Sequence, residues 1–176
     1  MRTTEIERIE TQPLADIEEM IEGKVFHVTR REAWNQIAQC GEIRPNADGV
    51  LTTTFGSSNS YFRTRGCISL FDFRASPNDE IREFRTRCWP FQPAEPGNTG
   101  VAILLLKESL HERLIPWTRW KEENAYGEMV VPHVEAGHPG PIPISEVSEV
   151  VFLRRTEDPT CLAAVLRRAA AQQNAG

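Results

Sequence analysis

Apolar residues first recur at helical spacing over 13–22, where Leu14, Ile17 and Ile21 share one face and acids occupy the rest, so a short amphipathic helix ending at Gly23 is predicted. The period then shortens. Residues 24–29 (Lys-Val-Phe-His-Val-Thr) are β-rich and alternate as a strand does, and 31–40 place Trp34, Ile37 and Ala38 as a helix, with Thr29 as N-cap and Gly41 as the stop. An extended piece follows at 42–45, then a loop rich in Gly, Thr, Ser and Asn over 46–59 around a short strand at 50–54. Residues 60–65 read as a helical turn before Gly66. The run 67–73 is a strand with Ile68, Leu70 and Asp72 opposed to Cys67, Ser69, Phe71 and Phe73.

Asn78 is placed to cap a helix over 79–87, and the prolines and glycines of 90–100 read as a surface loop. Val101–Leu106 is apolar at every position, which predicts a central strand buried on both faces. A short helix over 109–114, an aperiodic aromatic segment over 117–126, strands at 128–131 and 147–153, and a closing amphipathic helix over 159–173 with Leu162, Val165 and Leu166 inward complete the order. Strands outnumber what a doubly wound fold needs, so the class is α+β. The chain divides into an acidic helical leader (1–23), one α+β domain (24–153) and a C-terminal helix packed on it (154–176).

Charge sharpens this division. The net charge is −5, and residues 1–22 alone carry seven carboxylates against Arg2 and Arg8, so the remaining body is neutral. Arginine supplies 17 of the 20 basic residues, a side chain whose planar fork suits phosphate, so the acidity is no argument against a phosphorylated ligand. The acidic leader is a candidate docking element for a protein partner, as is the Pro-rich loop at 90–97. The four cysteines are far apart with no metal-site spacing, and no apolar run is long enough to cross a bilayer. With no signal-peptide stretch at the amino terminus, a cytoplasmic protein is expected.

Three polar features stand out. His27 and Thr29 lie on an otherwise apolar strand. Ser58, Tyr61, Arg63 and Arg65 precede Gly66 at the mouth of the next strand. Glu128 opens a strand directly after the aromatic segment, where a carboxylate can stabilise a cationic centre or act as a base. Each has an ordinary structural explanation when taken alone. A fourth grouping, His133-Val-Glu-Ala-Gly-His138, holds metal-ligating residue types, but it reads as a Gly/Pro loop and not as the helix of an H-E-x-x-H site, so no metal is assigned.

Together, and in this order, the three features resemble the ADP-ribosyltransferase superfamily, most closely the branch with DarT-type DNA-modifying toxins and RNA 2′-phosphotransferases. The resemblance lies in the opening Phe26-His-Val-Thr29 followed by a helix ending in Gly41, in Arg63 or Arg65 ahead of Gly66 and its strand, and in Glu128-Met-Val-Val131. It implies a mixed, mainly antiparallel split β-sheet core with flanking helices. It also implies NAD as the substrate, with His27 and Thr29 on its ribose and amide, Tyr61 stacked on nicotinamide and an arginine on its pyrophosphate. Thr52–Thr54 and Ser57–Ser58 compete for the family's second motif, of the Ser-Thr-Ser kind, and Ser58 is placed among the NAD contacts. Glu128 would hold a ribose hydroxyl. Tyr126 stands where the arginine-modifying branch has a second acid, which shifts the expected acceptor toward nucleic acid or a small molecule, as for a toxin or defence effector. Tyr61, Phe62, Trp89 and Trp117 are candidates to stack on a base. The competing readings are a non-catalytic interaction module of the same fold, and an NAD-independent RNA-cleaving toxin built on His27 and an arginine.

Overall fold

The computed structural model describes residues 1–51, 58–88, 90–91 and 99–173, and is an α+β fold built on one mixed, mainly antiparallel sheet. The strands in chain order are β1 (Arg2–Ile9), β2 (Val25–Arg30), β3 (Glu42–Ile43), β4 (Cys67–Asp72), β5 (Val101–Leu106), β6 (Ile115–Pro116), β7 (Glu135–Pro139), β8 (Ile142–Pro143) and β9 (Val147–Thr156). Seven of them pair in the order β1-β9-β5-β2-β4-β7-β6, and β3 pairs separately with β8. Only β1 with β9 is parallel. The helices are α1 (Ala15–Ile21), α2 (Arg31–Cys40), α3 (Tyr61–Thr64), α4 (Asp79–Arg87), α5 (Thr118–Glu122) and α6 (Leu162–Gln173), with a 3₁₀ turn over Glu108–Arg113.

The continuously apolar 101–106 segment forms a central strand because it must be dry on both faces. Ala102, Leu104 and Leu106 of β5 join Trp34 of α2 and Leu110 of the 3₁₀ turn in one core. Ile103 and Leu105 face the opposite core, with Leu14, Ile17 and Ile21 from α1 and its approach. Each such leucine or isoleucine contributes about 1.5–3 kcal/mol by leaving water. The alternation expected for 67–73 is present: Ile68 and Leu70 enter the first core and Phe73 the second. Gly41 stops α2 at a φ of 79°, and Asn78 caps α4 by accepting the Ile81 amide at 2.8 Å.

β2 pairs with β4 only at Val25–Asp72 and Phe26–Phe71, whereas its ladder with β5 runs on from Phe26–Leu105 to Arg30–Val101. The sheet therefore opens between β2 and β4 beyond Phe26. His27 stands at that opening.

Several expectations need correction. Residues 2–9 are not part of a helical leader but a strand of the sheet, since Thr4 and Ile6 alternate with Glu5 and Glu7 and the backbone pairs with β9 along its whole length. The sheet thus runs from Arg2 to Thr156, and divisions at 23 and 153 cut through it. Residues 128–131 form no strand; only Met129 makes a bridge, parallel to Ser60. The strand of this region is β7, which the Gly/Pro content had assigned to a loop. Thr29 does not cap α2: the N-cap is Arg30, without a side-chain bond, and Thr29 is buried at the register position of Ala102. Leu162, Val165 and Leu166 of α6 point outward. Val50 and Leu51 are exposed and outside any strand, while the rest of that expected strand (52–54), Ser57, Trp89 and residues 92–97 of the Pro-rich loop lie outside the described residues. On α1 two acids are engaged within the chain, Asp16 with Arg8 and the C-cap Glu22 with Arg85. Among the described residues, no helix is long and apolar enough to cross a membrane.

Candidate active site

The turn before Gly66 folds as α3 because its two aromatics must be buried. Tyr61 and Phe62 are fully enclosed, ring against ring at 5.0 Å, and pack with Cys67, Ile115, Trp120, Ala125 and Val130 at the β6–β7 end of the sheet. Gly66, at a φ of 64°, turns the chain out of α3 into β4. The polar side of α3 is left facing the segment that carries Glu128. Tyr61 N donates to Met129 O at 2.8 Å, Met129 N to Asn59 O at 3.0 Å, and the Trp120 indole N–H to Glu128 O at 2.9 Å. The backbone of Glu128 is thereby tied to α3 on one side and to α5 on the other.

The side chains complete the connection. Arg65 Nη1 donates to a Glu128 carboxylate oxygen, and also to Tyr61 O at 3.0 Å and Thr64 Oγ1 at 3.1 Å. The one hydroxyl proton of Thr64 is shared between Tyr61 O, 3.0 Å away, and the other Glu128 oxygen, 3.3 Å away. The remaining edge of the same guanidinium reaches Glu123, at 2.9 Å from Nε and 2.7 Å from Nη2, and its plane lies 3.7 Å from the centre of the Tyr61 ring. One arginine thus satisfies two carboxylates, and Glu128 keeps 30% of its side chain exposed. The guanidinium holds the Glu123 carboxyl below its ordinary value. Burial, with Glu123 alongside, pushes the Tyr61 hydroxyl up to about 12, so this phenol stays neutral at working pH.

Arg65 and Glu128, expected independently from two parts of the chain, are therefore brought together. Tyr61 belongs to the same cluster as a buried support: with no accessible surface and Arg65 over its ring, it has no face to offer nicotinamide or a base, and the equally buried Phe62 cannot stack on a base either. Arg63 turns away from Arg65. Its Nε donates to Asn46 O at 2.9 Å, and among the described residues no carboxylate pairs with it. Ser58 is exposed in the turn leading to the Ser60–Met129 bridge.

His27 and Thr29 share no hydrogen bond or ion pair with this cluster among the described residues. His27 Nδ1 lies 3.1 Å from Ser69 O across the opening between β2 and β4. A carbonyl only accepts, so Nδ1 carries the proton in this bond and Nε2 remains an acceptor. Burial lowers the imidazole's pKa against the opposing pull of Ser69 O, which keeps it neutral at pH 7. His133, Glu135 and His138 do not gather round one point: Glu135 pairs with Phe71 and His138 with Ile68, an odd spacing that sends them to opposite faces of β7.

Glu123, Thr64 and Trp120 were missed in the sequence. A second acid and an aromatic within eight residues of Glu128 were visible, but nothing local showed that both fold back on it. No protein-family model, curated protein or solved structure matches the chain.

Proposed function

We propose that this chain is an NAD-dependent ADP-ribosyltransferase with Glu128 as its catalytic carboxylate and nucleic acid as the favoured acceptor. The observation that carries the reading is the convergence of Arg65 and Thr64 on a part-exposed Glu128 carboxylate whose backbone is anchored on both sides. A carboxylate held in that way is preorganised to meet positive charge developing on a substrate.

In this reaction the bond from the ribose C1′ to the nicotinamide nitrogen breaks and its electron pair leaves with nicotinamide. An acceptor oxygen or nitrogen then bonds to C1′ and loses a proton. Glu128 would accept a ribose hydroxyl, stabilise the positive ribose centre and take that proton. Arg65 and Thr64 would fix its orientation. Since both of its faces of charge are already occupied by Glu123 and Glu128, Arg65 is a poor partner for pyrophosphate, and Arg63 is the better one. His27, neutral with Nε2 free to accept, suits a ribose hydroxyl or the carboxamide N–H. Exposed Tyr126, together with Arg119 and Lys121 on α5 beside Glu128, supports a base and phosphates as acceptor contacts.

A second reading has an observation of its own. The same Arg65–Glu128 pair serves equally as a structural ion pair in a non-catalytic module of this fold. Incubation with NAD separates the two, with nicotinamide release followed by chromatography and DNA, RNA and protein examined by mass spectrometry for added ADP-ribose. Glu128→Gln is expected to lower turnover about 100- to 1,000-fold. Folded wild-type protein that releases no nicotinamide supports the interaction module, and full turnover by Glu128→Gln refutes the assigned role.

A further inference from the structure

The sheet holds a half-buried acid that this chemistry does not use. Glu135, at the start of β7, grips both backbone groups of one residue: its carboxylate Oε2 accepts the Val131 amide at 3.0 Å, while its own amide donates to Val131 O at 3.0 Å. Val134 N donates to the same carbonyl at 3.3 Å, and Val134 O accepts from Asp72 of β4 at 2.7 Å. The closed loop 131–135 contains His133 at a φ of 61°, a left-handed conformation unfavourable for a histidine, so the loop needs external restraint. Its imidazole sits 4.5 Å from the Trp117 ring and 5.8 Å from that of Phe84.

This loop continues directly from the segment that bears Glu128. On the amino-terminal side that segment is held by α3 and α5, through Met129, Glu128 O and the Glu128 amide, which donates to Ala125 O at 2.9 Å. On the carboxy-terminal side His133 rests on Trp117 and Phe84 and lies 3.5 Å from a Glu80 carboxylate oxygen, and Glu135 is the side chain that bonds the backbone of the segment. Resting on the reading of Glu128 as catalytic, we infer that Glu135 is a positioning residue that clamps Val131 and so fixes the segment from which Glu128 presents its carboxylate. Burial raises the pKa of the Glu135 carboxyl, while the Val131 amide and the Ser69 hydroxyl oppose the rise. A partly desolvated acceptor makes a stronger bond than one in open water, which suits a clamp. What the clamp requires is an acceptor oxygen at that reach, whatever its charge.

The test compares Glu135→Ala, Glu135→Gln and Glu135→Asp in the full chain, with two readouts. In amide hydrogen exchange, Glu135→Ala should expose Val131 and Met129, and Glu135→Gln should restore their protection. In NAD cleavage, Glu135→Ala should lower kcat about 10- to 100-fold with KM for NAD within about twofold, because the loss is one of alignment. Glu135→Gln should recover most of that rate. Glu135→Asp keeps the charge but retracts the oxygen from Val131, so it should behave as Ala does, and it carries the test if Glu135→Ala fails to fold. Unchanged exchange and kcat in Ala and Asp would overturn the inference. A Gln variant as impaired as Ala would also overturn it, by showing that the charge and not the acceptor matters. If the wild type cleaves no NAD, the assigned function falls, and the exchange readout still decides whether Glu135 clamps the segment.

Discussion

Gly137 offers a direct test of how the sheet supports the site. A Cβ added there would lie 2.2 Å from Phe62 Cδ1, 2.7 Å from Cε1 and 2.9 Å from Cγ. Ordinary contact begins at 3.4 Å, so the ring must retreat by more than 1 Å. It has nowhere to go, being fully buried with its edge against Tyr61. Gly137→Ala therefore forces either an off-rotamer Phe62 or a shift of α3 as a unit. Overpacking of this kind costs ~3 kcal/mol, at the upper end of its usual range because a rigid ring meets a strand backbone. For a domain of this length that lowers Tm by about 6–12 °C. Urea denaturation followed by circular dichroism measures the loss as a lower midpoint with an unchanged m-value. The double variant Gly137→Ala/Phe62→Leu should be less destabilised than the sum of the two single changes, because leucine vacates the space the methyl needs. A midpoint equal to wild type in Gly137→Ala, or strict additivity in the double variant, would refute the argument that Gly137 exists to seat α3.

Two further outcomes concern stability. Arg85 is a buried guanidinium that donates to Glu22 at 2.7 Å and to the carbonyls of Phe73 and Ala75 at 3.1 Å each, with its plane 4.0 Å from the Phe73 ring centre. Arg85→Ala unpins α4 from α1 and from the end of β4, and should cost ~3 kcal/mol in urea unfolding, whereas loss of under about 0.5 kcal/mol would show these bonds to be idle. The second is pH dependence. His138 has no accessible surface and burial lowers its pKa, so the unfolded chain binds the proton first, and stability present above pH 6.5 is lost as pH falls, at up to ~1.4 kcal/mol per pH unit. Glu135 acts with the opposite sign, since its raised pKa makes stability fall as pH rises from about 4.5 through the folded value. Because the two groups oppose each other, His138 is read from the difference: between about pH 7.5 and 5.5 the urea midpoint of the wild type should lose more, or gain less, on acidification than that of His138→Gln, and equal slopes in both would exclude His138 as a source.

How much of this was legible in the sequence depended on whether a segment's own pattern or its neighbour's shape decided its fate. Apolar period was enough for α1, β2, α2, β4, β5 and β9, where burial is set by the segment's own side chains. β1 was hidden because it is an edge strand: its alternation of Thr4 and Ile6 with Glu5 and Glu7 is real, but seven acids in 22 residues obscure it, and its partner strand is distant in sequence, with Arg2 opposite Glu149. β7 was hidden for the opposite reason. Its Gly137 is a poor strand residue intrinsically, yet it is required there because a larger residue would collide with Phe62, a constraint visible only from the far side of the contact.

The site divides along the same line. Arg65 and Glu128 could each be nominated from local sequence, because a charged residue beside a strand mouth needs a reason to be there. Their pairing could not, since 63 residues separate them and the link is made by two buried aromatics that present only as a hydrophobic turn. Tyr61 shows the cost of reading one side chain in isolation. An aromatic flanked by arginines suggests a ligand-stacking ring, but in the fold one of those arginines takes the ring for itself. That arrangement changes what Arg65 can do. A guanidinium already stacked on Tyr61 and shared between Glu123 and Glu128 is organised to hold a carboxylate still, whereas Arg63 of the same turn forms no ion pair among the described residues and, under the proposed function, is the one of the two left to meet a substrate's negative charge.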